Sequence, residues 1–381
     1  MNLQLRKYIR IDNLLLIIVF MMISIFTFSN GPIMSSDTYQ YISWAELLIE
    51  NSFNLKNFAE TELIKTPSFF YIVNTIIFSV FLLLSPENWK DFFMLLNCIS
   101  VAVILINIKL ILDNFTTKKM MASFAFILFM FSDILLWPSY ILLDTFYTAL
   151  VLSIISIYII LKSNIKYVLI VFALIILTFT KPQSLAVLIG FIMVSLLLNE
   201  KVLKIYKNYR LIISAIITLI CSLFFSFIFF TDISLVLNSS EISVIKDMIF
   251  KGEVIRDRPE TWFKSPESVW DTISLFYYRL YSFFQIWVQD FSLLHNLMYF
   301  ILNILFILSV AIYLKKDAIK FNDENFKALS VLFLMILGGG IFHSLTLIDH
   351  DWRYKFVYVP QMCIFIVIIF DALLEKYNIK Y

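Results

Sequence analysis

Charge is scarce in this sequence, and that scarcity narrows its class at once. Aspartate, glutamate, lysine and arginine together make up 15% of 381 residues, against 61% apolar residues, a balance far from that of an ordinary soluble domain. Cysteine is nearly as rare. Cys98, Cys221 and Cys363 all fall inside apolar blocks, where a thiol packs as a small residue, so neither a disulfide framework nor a cysteine-based metal finger is expected. Net charge is +2, and the basic residues are spread over short loops, which leaves no basic domain for nucleic acid. The sequence also lacks a glycine-rich phosphate loop, a Ser-His-Asp order and a chain of acidic residues through its apolar blocks. ATP-driven and proton-driven transport both lose support.

What the sequence has in quantity is apolar length. Blocks of about 16 to 24 residues recur, long enough as helices for a hydrocarbon layer of about 30 Å. Only helices satisfy their own backbone groups there, and the alternation of a barrel strand is missing. The expected fold is all-α: a polytopic transmembrane bundle of about ten crossings. They are placed at residues 13–30, 92–112, 120–136, 145–161, 166–180, 183–199, 211–231, 290–313, 327–347 and 354–374. The first block follows Arg6, Lys7 and Arg10 and has no small-residue cleavage site, so it reads as a retained signal anchor.

The basic residues orient the bundle. Clusters at Lys118 and Lys119, Lys162 and Lys166, Lys201 to Arg210, Lys315 to Lys320, and Lys376 and Lys380 can all be cytoplasmic together under the positive-inside tendency. That requires a single net crossing between Pro67 and Leu112, although two apolar runs lie there, separated by Ser85-Pro86-Glu87-Asn88. Residues 92–112 are assigned to the crossing, and 67–84 to an embedded helix that does not cross. Both termini are then cytoplasmic, and the outer face receives loops 31–66 and 232–289 with tight turns near 137–145, 180–183 and 349–355. No repeat or linker divides the chain, so one membrane-embedded domain, 1–381, is expected. Within the outer loops, residues 37–50 place Tyr41, Trp44, Leu47 and Leu48 on one helical face, and residues 269–287 are rich in aromatics. Both suit helices lying at the membrane interface.

Polar residues on that outer face are the candidates for chemistry. Asp37 stands where the first interfacial helix begins; Ser36 or Asp37 as an N-cap is the plain reading, and a reacting carboxylate the sharper one. Asp144, in Leu143-Asp144-Thr145, is either the cap of a helix starting at Thr145 or a functional acid, because a carboxylate at the edge of hydrocarbon needs a partner or water. Asp133 is a weaker rival on the preceding helix. Lys181, before Pro182, is an outer cation that calls for a counter-charge unless it snorkels to lipid headgroups. In Asp349-His350-Asp351-Trp352-Arg353-Tyr354-Lys355, Arg353 offers a planar fork suited to phosphate and Lys355 a point charge, with a local Asp–Arg ion pair as the alternative. Arg256, Arg258 and Arg279 are candidate phosphate or sugar contacts, and Trp262 and Trp270 either stack on a sugar or anchor the interface. No two histidines have ligand spacing, so no metal is expected, and His295 and His343 read as packing or capping residues.

In their order and shared location these motifs resemble the GT-C superfamily of membrane glycosyltransferases. The branch most similar is that of the protein O-mannosyltransferases and bacterial aminoarabinose transferases, a family 39-like group. The resemblance lies in Ser36-Asp37-Thr38-Tyr39-Gln40-Tyr41 with its following helix, Lys65-Thr66-Pro67-Ser68-Phe69-Phe70-Tyr71, Ser139 to Asp144, Thr180-Lys181-Pro182-Gln183, and Asp351-Trp352-Arg353-Tyr354 through Pro360. A lone Asp37 stands where mannosyltransferases carry an adjacent acidic pair, and no appended soluble domain is expected, which turns the reading away from protein acceptors. The resemblance implies transfer of a hexosyl or pentosyl unit, with inversion, from a polyprenyl-phosphate donor to a lipid-linked glycan or other hydroxyl acceptor, in cell-surface polysaccharide assembly and without a cofactor. Asp37 and Asp144 would be catalytic. Lys181, Arg353 and Lys355 would bind the donor phosphate, and Tyr41, Arg256, Arg258, Trp262 and His350 would contact sugar or acceptor. The setting expected is a bacterial cytoplasmic membrane with the site facing outward. Two rival readings remain: a polymerase of lipid-linked oligosaccharide repeats, and a transporter or flippase for lipid-linked glycans, which would place polar residues at the bundle midplane.

Overall fold

The computed structural model describes residues 11–54, 71–117, 121–181, 184–197, 200–230, 268–284, 287, 292–315, 318–319, 321–346 and 355–377. Those residues form helices and their connections, with one isolated bridge between Ile33 and Tyr140. In chain order the helices are α1 (Ile11–Asn30), α2 (Ser36–Glu50), α3 (Ile72–Leu84), α4 (Trp89–Phe115), α5 (Met121–Met130), α6 (Asp144–Ile160) and α7 (Ile165–Thr178). They continue with α8 (Ser184–Leu197), α9 (Glu200–Phe230), α10 (Val269–Phe283), α11 (Leu293–Leu314), α12 (Asp323–Thr346) and α13 (Val359–Lys376).

Among the described residues five helical stretches are long and apolar enough to cross a membrane: α1, α4, Val202–Phe224 of α9, α11 and Asp323–Leu345 of α12. Shorter apolar helices, α3, α5, α6 and α7, accompany them. Their outward faces are apolar too. Ile17, Met21 and Ile25 of α1 and Val168, Val171, Phe172 and Ile175 of α7 are all exposed. In water such stripes would drive association; in lipid they are the ordinary solvent-facing side. The chain is a helical, multi-pass membrane protein.

The expected helix over 120–136 is replaced by something shorter. α5 ends at Met130, about 15 Å long, and the chain then winds through two 3-10 turns, Asp133–Leu135 and Trp137–Ser139. The Ser132 hydroxyl donates back to the Phe129 carbonyl at 2.6 Å, and Pro138 has no N–H to continue an α-helical ladder. Residues 200–210, expected as a loop, are helical instead and continue into α9 across a kink at Tyr209 (φ −124°, ψ 24°).

The chain forms two compact units: residues 1–188, 321–332 and 356–381 in one, and 189–320 and 333–355 in the other. In the first unit α4 is the central helix, packed by α1, α3, α5, α6 and α13. Polar contacts mark its two ends. At one, Ser123 donates to Asp12 at 2.6 Å, the Thr117 N–H donates to Asp371 at 2.7 Å, and Lys162 lies 3.6 Å from Glu324. At the other, Asn97 of α4 donates to the carbonyls of Pro138 (3.3 Å) and Tyr140 (2.9 Å). From Asn97 to Phe115 is about 27 Å along a helix. Helix α3 starts at this second end, where the Val73 N–H bonds the Phe179 carbonyl at 2.9 Å. Its Ser79 hydroxyl donates to Ala45 of α2 at 3.2 Å. The turn after Leu84 leads into α4 two helical turns before Asn97, so α3 begins and finishes at the same end.

In the second unit α10 is stapled at its start by a capping box of Ser268 and Asp271 and tied to α9 by a 2.8 Å bond from Thr272 to Ser226. Leu275 and Phe276 pack with Ile341, Leu337, Ile217 and Cys221. Glycine permits the closest approach: a Cβ on Gly340 would stand 3.0 Å from Leu280, 3.1 Å from Phe284 and 3.3 Å from Phe283. Small residues do the same wherever membrane helices touch. Arg210 closes the C-terminal end of α11, donating to the Lys315 carbonyl at 3.0 Å with its guanidinium 5.1 Å above the Tyr313 ring. A cation at a helix C-terminus is electrostatically favoured.

Candidate functional site

The site assembles at the second end of the first unit, where three chain segments are pinned together. After α1 the chain turns at Gly31 (φ +72°), a conformation glycine adopts without steric cost. Ile33 then exchanges hydrogen bonds with the 138–143 turn: its N–H donates to Ser139 at 2.8 Å, and its carbonyl accepts from Ile141 at 3.0 Å. The N-cap of α2 is Ser35, which forms a reciprocal capping box with Thr38. It is neither Ser36 nor Asp37. The Thr38 hydroxyl also reaches the Ile141 carbonyl at 3.0 Å, fixing the start of α2 on the turn that precedes α6. Asp37 therefore stands half-buried in the first turn of α2, where a negative charge suits the helix dipole.

Asp144 is the first residue of α6, and the cap position belongs to Leu143, which makes no side-chain cap bond. Its carboxylate is committed elsewhere. Lys181 follows α7, and Ser184 donates to the Lys181 carbonyl from both its N–H (3.0 Å) and its hydroxyl (2.5 Å). The Lys181 ammonium turns inward onto Asp144 Oδ1 at 2.5 Å, with side chains 11% and 4% exposed. Here is the counter-charge that a lysine among apolar runs requires. A buried pair of this kind is held by mutual attraction against a large loss of hydration.

The pair leaves polar capacity unused. Asp144 Oδ2 is buried and accepts no hydrogen bond from the described residues. One turn along α6, on the same face, Tyr147 is 1% exposed with its hydroxyl also unbonded. The Ser184 side chain lies beside that hydroxyl and gives its own proton to backbone carbonyls.

Of the residues singled out by sequence, Asp37, Asp144 and Lys181 come to one end of one unit. Tyr41 is 5% exposed and packs with Trp44, Tyr71 and Phe78, ring centroids 5.6 to 5.7 Å apart. Lys355 belongs to the second unit, where its ammonium donates to Asn303 and lies 5.2 Å from the Tyr299 ring centre. Arg279 is buried on α10, and burial lowers its guanidinium to about 10, still a cation at neutral pH. Trp270 is 76% exposed. His295 and His343 pack beside Tyr299 and Phe283. Arg256, Arg258, Trp262, His350 and Arg353 lie outside the described residues. Among the described residues no group of three His, Cys, Asp or Glu side chains converges to hold a metal.

Tyr147, Thr38 and Asn97 were not singled out from the sequence. Asn97 carried a signal, an amide within an apolar run; a tyrosine or threonine at a helix start carries none. No protein-family model, curated protein or solved structure matches the chain.

Proposed function

We propose that the chain is a membrane glycosyltransferase of the GT-C kind, moving a sugar from a polyprenyl-phosphate donor to a hydroxyl acceptor at the outer face of the membrane. The observation that carries this reading is the convergence of the Asp37 helix start with the buried Asp144–Lys181 pair at one end of a helical bundle. Lipid-facing helices suit a donor whose tail is a polyprenol, and polar groups collected at one boundary suit a headgroup reaction there. The bundle is read as crossing about ten times, with both termini cytoplasmic and α3 not crossing, in a bacterial cytoplasmic membrane.

In this mechanism Asp37 accepts the proton of the acceptor hydroxyl as that oxygen bonds to the anomeric carbon. The bond from that carbon to the phosphate oxygen breaks with inversion, and polyprenyl phosphate leaves carrying the electron pair. Cations stabilise the charge developing on the leaving group. Asp37→Asn is expected to lower transfer by about 100-fold or more, the usual scale for loss of a general base, while membrane insertion stays intact. The measurement is incorporation of labelled sugar from polyprenyl-linked donor by detergent-solubilised protein. Detergent removes the two compartments, so activity there separates transfer from transport, and full activity in the Asn variant would sink the role of Asp37.

A further inference from the structure

We infer that Asp144, Lys181 and Tyr147 form a neutral, hydroxyl-binding subsite for the acceptor and not a seat for the donor's phosphate. This deepens the transferase reading and rests on it for the identity of the ligand; the binding chemistry itself follows from the side chains. Because Lys181 Nζ lies 2.5 Å from Asp144 Oδ1, its charge is already balanced. A phosphate oxygen brought to Lys181 would also be brought to a buried carboxylate, and repulsion between like charges is strong where water is excluded. A metal cation drawn to Asp144 would meet the Lys181 ammonium in the same way.

What remains unused is a matched set of donors and an acceptor. Asp144 Oδ2 accepts nothing from the described residues. Lys181 directs one of its three N–H groups to Asp144, and the Tyr147 hydroxyl makes no hydrogen bond. A hydroxyl group is both donor and acceptor. It can give its proton to Asp144 Oδ2 while its oxygen accepts from Lys181 or Tyr147, which an anion or a cation cannot do. Asp144 and Tyr147 are 3% and 1% exposed, so an unmatched polar group there is costly, and a ligand hydroxyl that fills the set gains correspondingly. The subsite would hold an acceptor sugar by one of its hydroxyls, at the end of the unit where α2 presents Asp37.

The test uses the full chain in lipid nanodiscs, with two probes measured by equilibrium binding: octyl β-glucoside below its micelle-forming concentration, as a neutral polyol, and polyprenyl monophosphate. Tyr147→Phe removes only the hydroxyl, and the double variant Asp144→Asn with Lys181→Met removes both charges together, so no lone buried charge remains to unfold the protein. Each is expected to weaken glucoside binding by about tenfold, the scale of one lost hydrogen bond of this kind, and to leave polyprenyl phosphate binding within about twofold. A tenfold loss of polyprenyl phosphate binding in the double variant would overturn the subsite and make Lys181 a phosphate ligand. Unchanged binding of both probes would overturn it too, leaving these polar atoms to resident water. Sugar transfer by the wild-type chain is assayed in parallel. Absent transfer with the expected binding losses would sink the transferase reading alone; present transfer with unchanged glucoside binding would sink the subsite alone.

Discussion

At the residue scale the informative side chains are the expensive ones. Asp144 and Lys181 could be picked out because each places a charge where apolar runs leave little water, and a lone charge there is poorly tolerated. That each answers the other, across 37 residues of chain, is not written in either segment. Asp144→Ala would strand a buried ammonium and is expected to cost about 3–5 kcal/mol, read as a lowered unfolding midpoint in detergent. The double variant Asp144→Asn with Lys181→Met should recover most of that loss, since a buried pair contributes far less net than the penalty for breaking it. A double variant as unstable as the single one would refute this account. At the other end of the unit Asp371 accepts from both the N–H and the hydroxyl of Thr117. Asp371→Ala should cost about 1–3 kcal/mol by leaving a partly buried backbone donor unmet, and hydrogen exchange at Thr117 should rise.

At the element scale the apolar runs located helices well and their local winding poorly. Hydrophobic length is blind to whether a stretch such as 131–139 stays α-helical. There Ser132 and Pro138 decide, through one hydroxyl turned back on the helix and one absent N–H. The α2 cap shows the same limit: Ser35, Ser36 and Asp37 are all good capping residues, and the chain selects Ser35 because Thr38 three positions on completes the box. Glycines in α12 divide by their surroundings. A methyl on Gly340 would meet Leu280 at 3.0 Å, whereas one on Gly338 meets only the Gly190 Cα at 3.8 Å. Gly340→Ala is therefore expected to cost about 1–3 kcal/mol through overpacking, and Gly338→Ala to be nearly neutral or mildly stabilising as helix propensity improves. Equal unfolding midpoints for the two variants would show that α10 yields without strain.

At the scale of the whole molecule, topology is the prediction most open to direct measurement. With the native cysteines replaced by serine, single cysteines at Asn54, Glu87 and Ser163 can be probed with a membrane-impermeant thiol reagent on intact cells. Asn54→Cys and Glu87→Cys should label from outside, and Ser163→Cys only after lysis. Labelling of Glu87→Cys from inside alone would make α3 a crossing helix. Composition and apolar length by themselves determined that this is a helical chain for lipid, because 61% apolar residues in spanning blocks admit no other backbone solution. Charge bias set an expected orientation and marked Asp37, Asp144 and Lys181 as residues needing an explanation. Only the tertiary structure decided that Thr38 at the start of α2 is pinned to the turn before α6, and that Asp144 spends one oxygen on Lys181 and keeps the other free of any described partner. Those are facts of pairing between segments far apart in the chain. No local pattern encodes them, because what each buried polar atom lacks is supplied by a neighbour that only folding brings near.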